Sequence, residues 1–207
     1  MNTRNSLPSN GARTLDDHGG GIWPALAGSA LFVVVSGLIY PTVATLLGGL
    51  LFPQQATGGL IERDGRVVGS RLVAQPFADA RYFQPRPSAA GFDPNALSGS
   101  NLASSNPALR ERMARDSAAI AVRDGIPADA VPSDLVTASG SGIDPHLTPA
   151  GAQAQVARVA AARGVPAEDV AALVREHTQR RTFGVLGEPR VNVLELNLAL
   201  DARGGKP

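Results

Sequence analysis

The sequence predicts a small α/β or α+β domain over residues 53–207, tethered by a single N-terminal transmembrane helix over 22–52 and preceded by a flexible tail over 1–21. Three observations carry that prediction. Between His18 and Glu62 the only ionisable side chain is Tyr40. Further on, Asn106-Pro107 and Thr148-Pro149 each open an apolar-periodic stretch that a glycine closes, at Gly125 and Gly164. A β-branched segment, 66–74, follows an Asp64-Gly65 turn signal, so a strand and several helices share one domain.

The first 21 residues are polar, carry turn formers and show no periodicity, as a flexible tail does. The run 22–52 is long enough to cross a bilayer, which takes roughly 20 apolar residues at ~1.5 Å rise each. Trp23 suits an interfacial position, and Pro24 falls in the first turn, where a missing N–H costs little. Pro41, after Tyr40, lies deep enough to kink the helix unless a neighbour compensates. Gly28, Ser29, Ser36, Gly37, Gly48 and Gly49 let a second helix approach closely, or are ordinary membrane composition. A cleaved signal has an apolar core of only ~7–15 residues, so this run reads as an uncleaved anchor in the lipid bilayer. Arg4 and Arg13 on one side are balanced by Arg63, Arg66 and Arg71 on the other, and charge leaves the orientation undecided.

In the soluble part, 75–106 is rich in Pro, Gly, Ser and Asn and predicts one long loop, of the kind that is functional or mobile in a compact domain. Asn106 caps a helix, with Pro107 in its first turn, Leu109, Met113 and Ile120 near one face and Gly125 at its end. Thr148-Pro149 opens the next, with Val156, Val159 and Ala160 as its apolar stripe. Pro166 starts another, whose face is set by Val170, Leu173, Val174 and His177. The last segment, 191–200, carries two conflicting signals. Leu194, Leu196, Leu198 and Leu200 alternate as in a strand, whereas Asn192 and Glu195 form a capping-box pattern, which favours a helix.

Composition removes several functions. The 207 residues carry 19 Lys+Arg against 18 Asp+Glu, a net charge of +1, which leaves no broad basic face for nucleic acid. Hydrophobic residues at 43% place the chain outside disordered composition. Cysteine is absent, which excludes disulfides, thiolate metal sites and a cysteine nucleophile. The only lysine, Lys206, precedes Pro207, so no phosphate-binding GK[ST] loop exists and a Schiff-base lysine is not expected. His18, His146 and His177 fall in the tail, a loop and a helix without metal-ligand spacing, so no metal is expected, and His177 reads as a core or interface residue. No G-x-S-x-G surrounds Ser100, Ser139 or Ser141, and no D-K-T-G-T phosphorylation run occurs, so no catalytic residue is expected. Ser98-Gly99-Ser100-Asn101 and Ser139-Gly140-Ser141-Gly142 have the composition of anion-cradling loops and of simple turns; the lack of a basic neighbour favours turns.

Three ordered blocks then carry a likeness. The first is Tyr82-Phe83 with Arg86-Pro87-Ser88-Ala89, Ser98-Gly99-Ser100-Asn101 and Ser105-Asn106-Pro107. The second runs from Asp134-Leu135-Val136-Thr137-Ala138 through Ser139-Gly140-Ser141-Gly142 to Asp144-Pro145-His146. The third is Gly187-Glu188-Pro189-Arg190-Val191-Asn192-Val193-Leu194 with Asn197-Leu198-Ala199-Leu200-Asp201. Behind one membrane segment, these blocks resemble the C-subunit family of the bacterial Kdp potassium-transporting ATPases over about residues 37–201. The likeness departs at Ser98, where the family often has a second glycine, and at Ala103-Ser104, where it often has Gly-Pro.

The resemblance implies a non-catalytic accessory and assembly subunit of a high-affinity potassium uptake pump in a bacterial inner membrane. Its implied partners are a channel-like potassium-translocating subunit, a P-type ATPase subunit bearing the phosphorylated aspartate, and a small third membrane subunit. No cofactor is implied for this chain itself, since ATP and potassium are handled by the complex. The family is described as a catalytic chaperone that raises the ATP affinity of the ATPase subunit. Its topology puts the short N-terminal tail in the cytoplasm and the soluble domain outside it. ATP is cytoplasmic, so such an effect has to pass through partners as a coupling free energy. The expected surface for a partner, or for the entering ion, comprises Arg86, Ser100, Asn101, Asn106, Ser139, Ser141, Asp144, His146, Glu188 and Arg190. The expected membrane anchor rests on Trp23, Gly28, Ser36, Gly37, Tyr40 and Pro41. From the residues alone, the alternatives are a membrane-anchored extracytoplasmic binding module or a hydrolase.

Overall fold

The computed structural model describes residues 21–204, and the expected tail, Gly21 apart, lies outside them. The chain divides into two units, one ending at Ala56 and the other beginning at Thr57. The first unit contains α1 (Ile22–Val34), a π-helical turn (Val35–Ile39), α2 (Tyr40–Leu51) and the short α3 (Pro53–Ala56). The 30 residues from Ile22 to Leu51 include an 18-residue stretch with a mean hydropathy of 2.1, none of it buried. At 1.5 Å per residue such a helix is about 45 Å long, more than the ~30 Å hydrocarbon core of a bilayer. A surface that is apolar all round belongs in lipid or against other helices.

Pro41 does not end this helix. Proline lacks the N–H that an α-helix would direct at the Gly37 carbonyl, and its ring crowds that carbonyl. One step upstream the ladder widens, and Tyr40 N–H donates to Val35 O, five residues back. The perturbation expected at Pro41 is thus taken up as a π turn.

In the second unit, β1 (Leu60–Arg63) and β2 (Arg66–Ser70) pair antiparallel across Asp64-Gly65. Both turn residues have positive φ, 52° and 73°, as a type I′ hairpin turn requires. The strand predicted over 66–74 stops at Ser70, because the Ser70 hydroxyl accepts Leu72 N–H at 3.0 Å and turns the chain away. No helix or strand interrupts 71–106, in keeping with the predicted loop.

Next comes α4 (Pro107–Asp124), which starts where Asn106 Oδ1 accepts Ala108 N–H at 3.0 Å and stops at left-handed Gly125. A 3₁₀ turn (Ala128–Ala130), α5 (Ser133–Val136), β3 (His146–Leu147), α6 (Pro149–Gln153), α7 (Val156–Arg163), α8 (Ala167–Glu176), β4 (Thr178–Gln179), β5 (Arg190–Asn192) and α9 (Val193–Arg203) complete the unit. Thr148 caps α6 through Gly151 N–H at 2.9 Å, and Gly164 closes α7 in the left-handed region. The stretch that reads as one helix is two, interrupted at residues 154–155. The conflict over 191–200 resolves into both signals in succession: β5 ends at Asn192, whose Oδ1 accepts Glu195 N–H at 3.1 Å and starts α9. His177 sits one step past α8, half-buried, with Nδ1 3.1 Å from Leu173 O.

The second sheet has the order β3-β5-β4, antiparallel throughout, with Leu147 and Thr178 both opposite Val191. Antiparallel pairing in both sheets makes this the α+β member of the two predicted classes. The helices α6 to α9 close over it around Leu147, Val159, Leu173 and Leu196, each 2% exposed or less. Phe83 joins this core from the irregular stretch and is fully buried, a contribution of about 1.5–3 kcal/mol for such a side chain.

A buried stretch without secondary structure must find partners for its peptides. Here two side-chain amides supply them. Asn197 Oδ1 accepts Phe83 N–H at 2.8 Å while its Nδ2 donates to Phe83 O at 3.0 Å. Gln155 does the same for the next residue, accepting Gln84 N–H at 2.8 Å and donating to Gln84 O at 3.1 Å. Arg158 Nη2 donates to Gln155 Oε1 at 2.7 Å, and its Nε to the buried Asp124 at 2.7 Å. Arg163 lies 5.0 Å over the Tyr82 ring and pairs with Asp201 at 2.8 Å. Tyr82-Phe83 and Asn197 with Asp201, two of the segments that carry the likeness, are therefore bonded to each other and hold the fold.

Candidate functional site

Asp144 organises the polar surface. Its Oδ1 accepts His146 backbone N–H at 3.0 Å, and His146 Nδ1 lies 3.3 Å from the same oxygen. Its Oδ2 takes Arg86 Nη1 at 3.0 Å across 58 residues of sequence. Burial acts to raise the Asp144 carboxyl. The ring and backbone bonds from His146, with the charge and hydrogen bond of Arg86, outweigh it and hold the group below the ordinary carboxylate value. Arg86 also reaches Thr137 O at 3.4 Å, which ties the Arg86-Pro87 segment to the second sequence block.

Beside it, the 139–142 turn is folded on its own hydroxyls. Ser139, almost fully buried, accepts Gly142 N–H at 3.1 Å and Asp144 N–H at 3.3 Å, and its Oγ lies 3.2 Å from that of Ser141. Ser141 in turn accepts Ile143 N–H at 3.2 Å. The N–H groups of Gly142, Ile143 and Asp144 are thus occupied from within. Gly142 has φ +78°, and a Cβ there would meet Ala90 Cβ at 2.6 Å and Ser98 O at 2.8 Å. Ser88 Oγ donates to Gly142 O at 2.6 Å and accepts Ala90 and Phe92 N–H. The first and second sequence blocks therefore interlock.

A cleft of about 250 Å³ opens where Arg86, Asp144 and His146 face Glu188, Pro189 and Arg190, with Asp134 and Thr148 at its wall. Asp134 Oδ2 accepts Thr148 N–H at 2.8 Å and is occupied in holding the start of α6. Glu188 is bound by Arg181 at 2.8 and 2.6 Å, so its charge is spoken for at the cleft edge. The structure thus brings together five of the expected residues, Arg86, Asp144, His146, Glu188 and Arg190, and sets Ser139 and Ser141 behind them. Ser100 and Asn101 do not line the cleft; it is their neighbours that meet the turn, Ser98 N–H donating to Ser141 O at 3.2 Å and Gly99 lying against Gly140. Asn106 is not in the cleft, and its side chain caps α4. The expected anchor residues Trp23, Gly28, Ser36, Gly37, Tyr40 and Pro41 all lie on the span from α1 to α2, and nothing approaches the Cβ positions of Gly28 or Gly37.

Among the described residues, no group of three or more His, Asp and Glu side chains converges on a point where a metal would sit. A larger groove of about 600 Å³ between Arg163, Val170, Leu173, Leu200 and Asp201 contains none of the residues expected at the partner or ion surface. Sequence reasoning also passed over the loop from β4 to β5, where Phe183, Val185 and Leu186 are exposed. The signal was present as Phe183, Val185 and Leu186 interspersed with Gly184 and Gly187.

What the fold and the cleft define is a membrane-anchored α+β domain with an ion-paired polar surface. The sequence matches the KdpC family model, described as the K+-transporting ATPase c chain, over residues 22–202, and the chain belongs to that family. It is 62% identical over 176 residues to the potassium-transporting ATPase KdpC subunit of Xanthomonas campestris pv. campestris strain B100, covering 84% of each chain. It is 61% identical over 184 residues to the same-named subunit of Xanthomonas oryzae pv. oryzae strain MAFF 311018, with 87% of this chain and 88% of the relative covered. The subunit of that name from Gemmatimonas aurantiaca is 53% identical over 182 residues, with 86% and 91% covered.

Proposed function

We propose that the chain is the accessory, assembly-stabilising subunit of an ATP-driven potassium uptake complex, with a channel-like subunit, a P-type ATPase subunit and a small membrane subunit as partners. The span from α1 to α2 packs in the membrane against the channel-like subunit. The soluble unit stands outside the cytoplasm, where the cleft between Arg86, Asp144 and Arg190 meets a partner and borders the path of the entering ion. The observation that carries this reading is the interlock of separate sequence blocks around Asp144, which fixes a polar surface whose carboxylates already have partners. Such a surface is built for contact, since pre-formed charge patterns set register and partner choice.

An influence on ATP affinity fits the same picture as a coupling passed through the partners. A tenfold change would correspond to about 1.4 kcal/mol. The test is a mild-detergent pull-down of the full chain from its native membrane, with potassium-stimulated ATPase assayed on the product. A channel-like protein and a P-type ATPase should copurify, and activity should vanish when this chain is deleted. Alanine at Asn101, Asp144 and Glu188 should weaken assembly or potassium affinity; unchanged values for all three would refute the site assignment.

A further inference from the structure

The loop from β4 to β5 carries features that the cleft does not explain. At its tip Phe183, Val185 and Leu186 are 90%, 73% and 60% exposed. Apolar side chains displayed together on a protein surface mark a contact site. Phe183 holds φ +54°, a conformation an aromatic residue rarely adopts, next to Gly184 at +77°. The tip is stiff. Thr182 N–H donates to Leu186 O at 2.9 Å, Leu186 N–H to Thr182 O at 3.0 Å, and Gly184 N–H to Arg181 O at 3.0 Å. At the neck, Arg181 takes both oxygens of Glu188.

That neck pair leaves Arg190 alone. Among the described residues, the other half-buried arginines, Arg63, Arg71, Arg81, Arg86, Arg112, Arg158 and Arg163, each have a carboxylate partner. Arg190 has none, and this sets it apart, since a buried Nε without an acceptor is something it shares with Arg86 and Arg112. Its Nη1 lies 3.8 Å from where a Cβ on Gly187 would be, so the guanidinium runs along the base of the same loop. A half-buried guanidinium without an acceptor is a donor set waiting for one.

We propose that the loop is a docking plug for another subunit of the complex. Phe183, Val185 and Leu186 seat in an apolar pocket of that subunit, and Arg190 takes a carboxylate from the pocket's rim. This rests on the reading of the chain as a subunit of the potassium-transporting complex. A protein occupant is favoured over lipid for two reasons. The tip is rigid and closed on itself, which rewards a shaped pocket, and Arg190 asks for a planar, directional acceptor of the kind a carboxylate offers.

The test uses the full chain expressed with its complex in native membranes, with the photo-crosslinker p-benzoylphenylalanine placed at Phe183 and, as a control, at Val122, which is 86% exposed on α4. Illumination should join position 183, and not position 122, to a second polypeptide that copurifies as part of the potassium-transporting complex. Phe183→Ser and Arg190→Gln should each lower the partner retained per chain roughly tenfold or more after mild-detergent purification, with Arg190→Lys recovering part. Because both side chains lie outside the core, melting of the variants should stay within about 2 °C of the parent. A lipid adduct at 183, an adduct to a second copy of this chain, or no adduct while the partners are still retained would each overturn the plug. If the unsubstituted chain retains no partner, the accessory reading itself fails and the plug with it.

Discussion

The side-chain amide of Asn197 on α9 takes both the N–H and the carbonyl of Phe83, at 2.8 and 3.0 Å, and so stands in for the neighbouring strand that this irregular segment lacks. Asn197 is 2% exposed and Phe83 not at all, so water cannot replace either bond. Replacing Asn197 with Leu keeps the volume and strands two buried peptide groups. At about 1–3 kcal/mol each, and with each kcal/mol worth roughly 2–4 °C in a domain of this size, melting should fall by several degrees or more. Circular dichroism of the full chain in detergent reads it, and a fall under about 2 °C would show that the clamp is not a stabilising element.

Asp144 gives a pH signature. Its carboxyl is held below its ordinary value in the folded chain, so ionised Asp144 stabilises the fold at pH above the unfolded value of ~3.9. That contribution is lost as pH falls through the lowered folded value. Asp144→Asn should therefore be less stable than the parent at pH 7, and the gap should shrink as both are taken to pH 3 and below. Denaturant midpoints at pH 7, 5 and 3 measure it. A gap that stays constant with pH would mean that the Arg86 and His146 contacts do not depend on the charge.

Much of this architecture is written locally, and the rest is not. Asn106-Pro107, Thr148-Pro149, Gly125 and Gly164 mark helix ends because capping and left-handed closure depend on one or two adjacent residues. The interruption between α6 and α7 has no local mark, since it coincides with Gln155 turning its amide to Gln84, 71 residues away. The two-residue strands β3 and β4 are too short to show any period. β1 was missed because its four residues, LIER, are too few to show an alternation of their own. In the cleft, the residue types of Arg86, Asp144 and Arg190 were legible through family likeness. Their pairing was not, because Arg86 meets Asp144 across 58 residues of sequence and Glu188 is bound by Arg181 rather than by Arg190.

Gly142 tests the interlock of the sequence blocks. A methyl group there meets Ala90 Cβ at 2.6 Å and Ser98 O at 2.8 Å, on a backbone at φ +78°. Gly142→Ala should cost about 1–3 kcal/mol from the backbone conformation alone and should loosen the 86–92 segment. Limited proteolysis should then cut between Pro87 and Ser98 faster than in the parent. Equal cutting rates would show that the two blocks are held together by something other than this contact.

Topology can be read directly, because the chain has no cysteine. A single Val122→Cys substitution lies on the exposed face of α4, 86% accessible. With the soluble unit outside the cytoplasm, a membrane-impermeant maleimide should label it in intact spheroplasts. Labelling only after lysis would reverse the proposed orientation.

The π turn at Val35–Ile39 acts as one surplus residue in the ladder, and each residue of an α-helix advances the azimuth by about 100°. The two halves of the span are therefore out of phase with the wheel drawn for a regular helix. Gly28 and Ser29 belong to one phase, and Gly48 and Gly49 to another, turned by about that amount. Removing a single residue within Val35–Ile39 would leave composition and length nearly untouched, yet rotate the Gly48-Gly49 notch to a different neighbour.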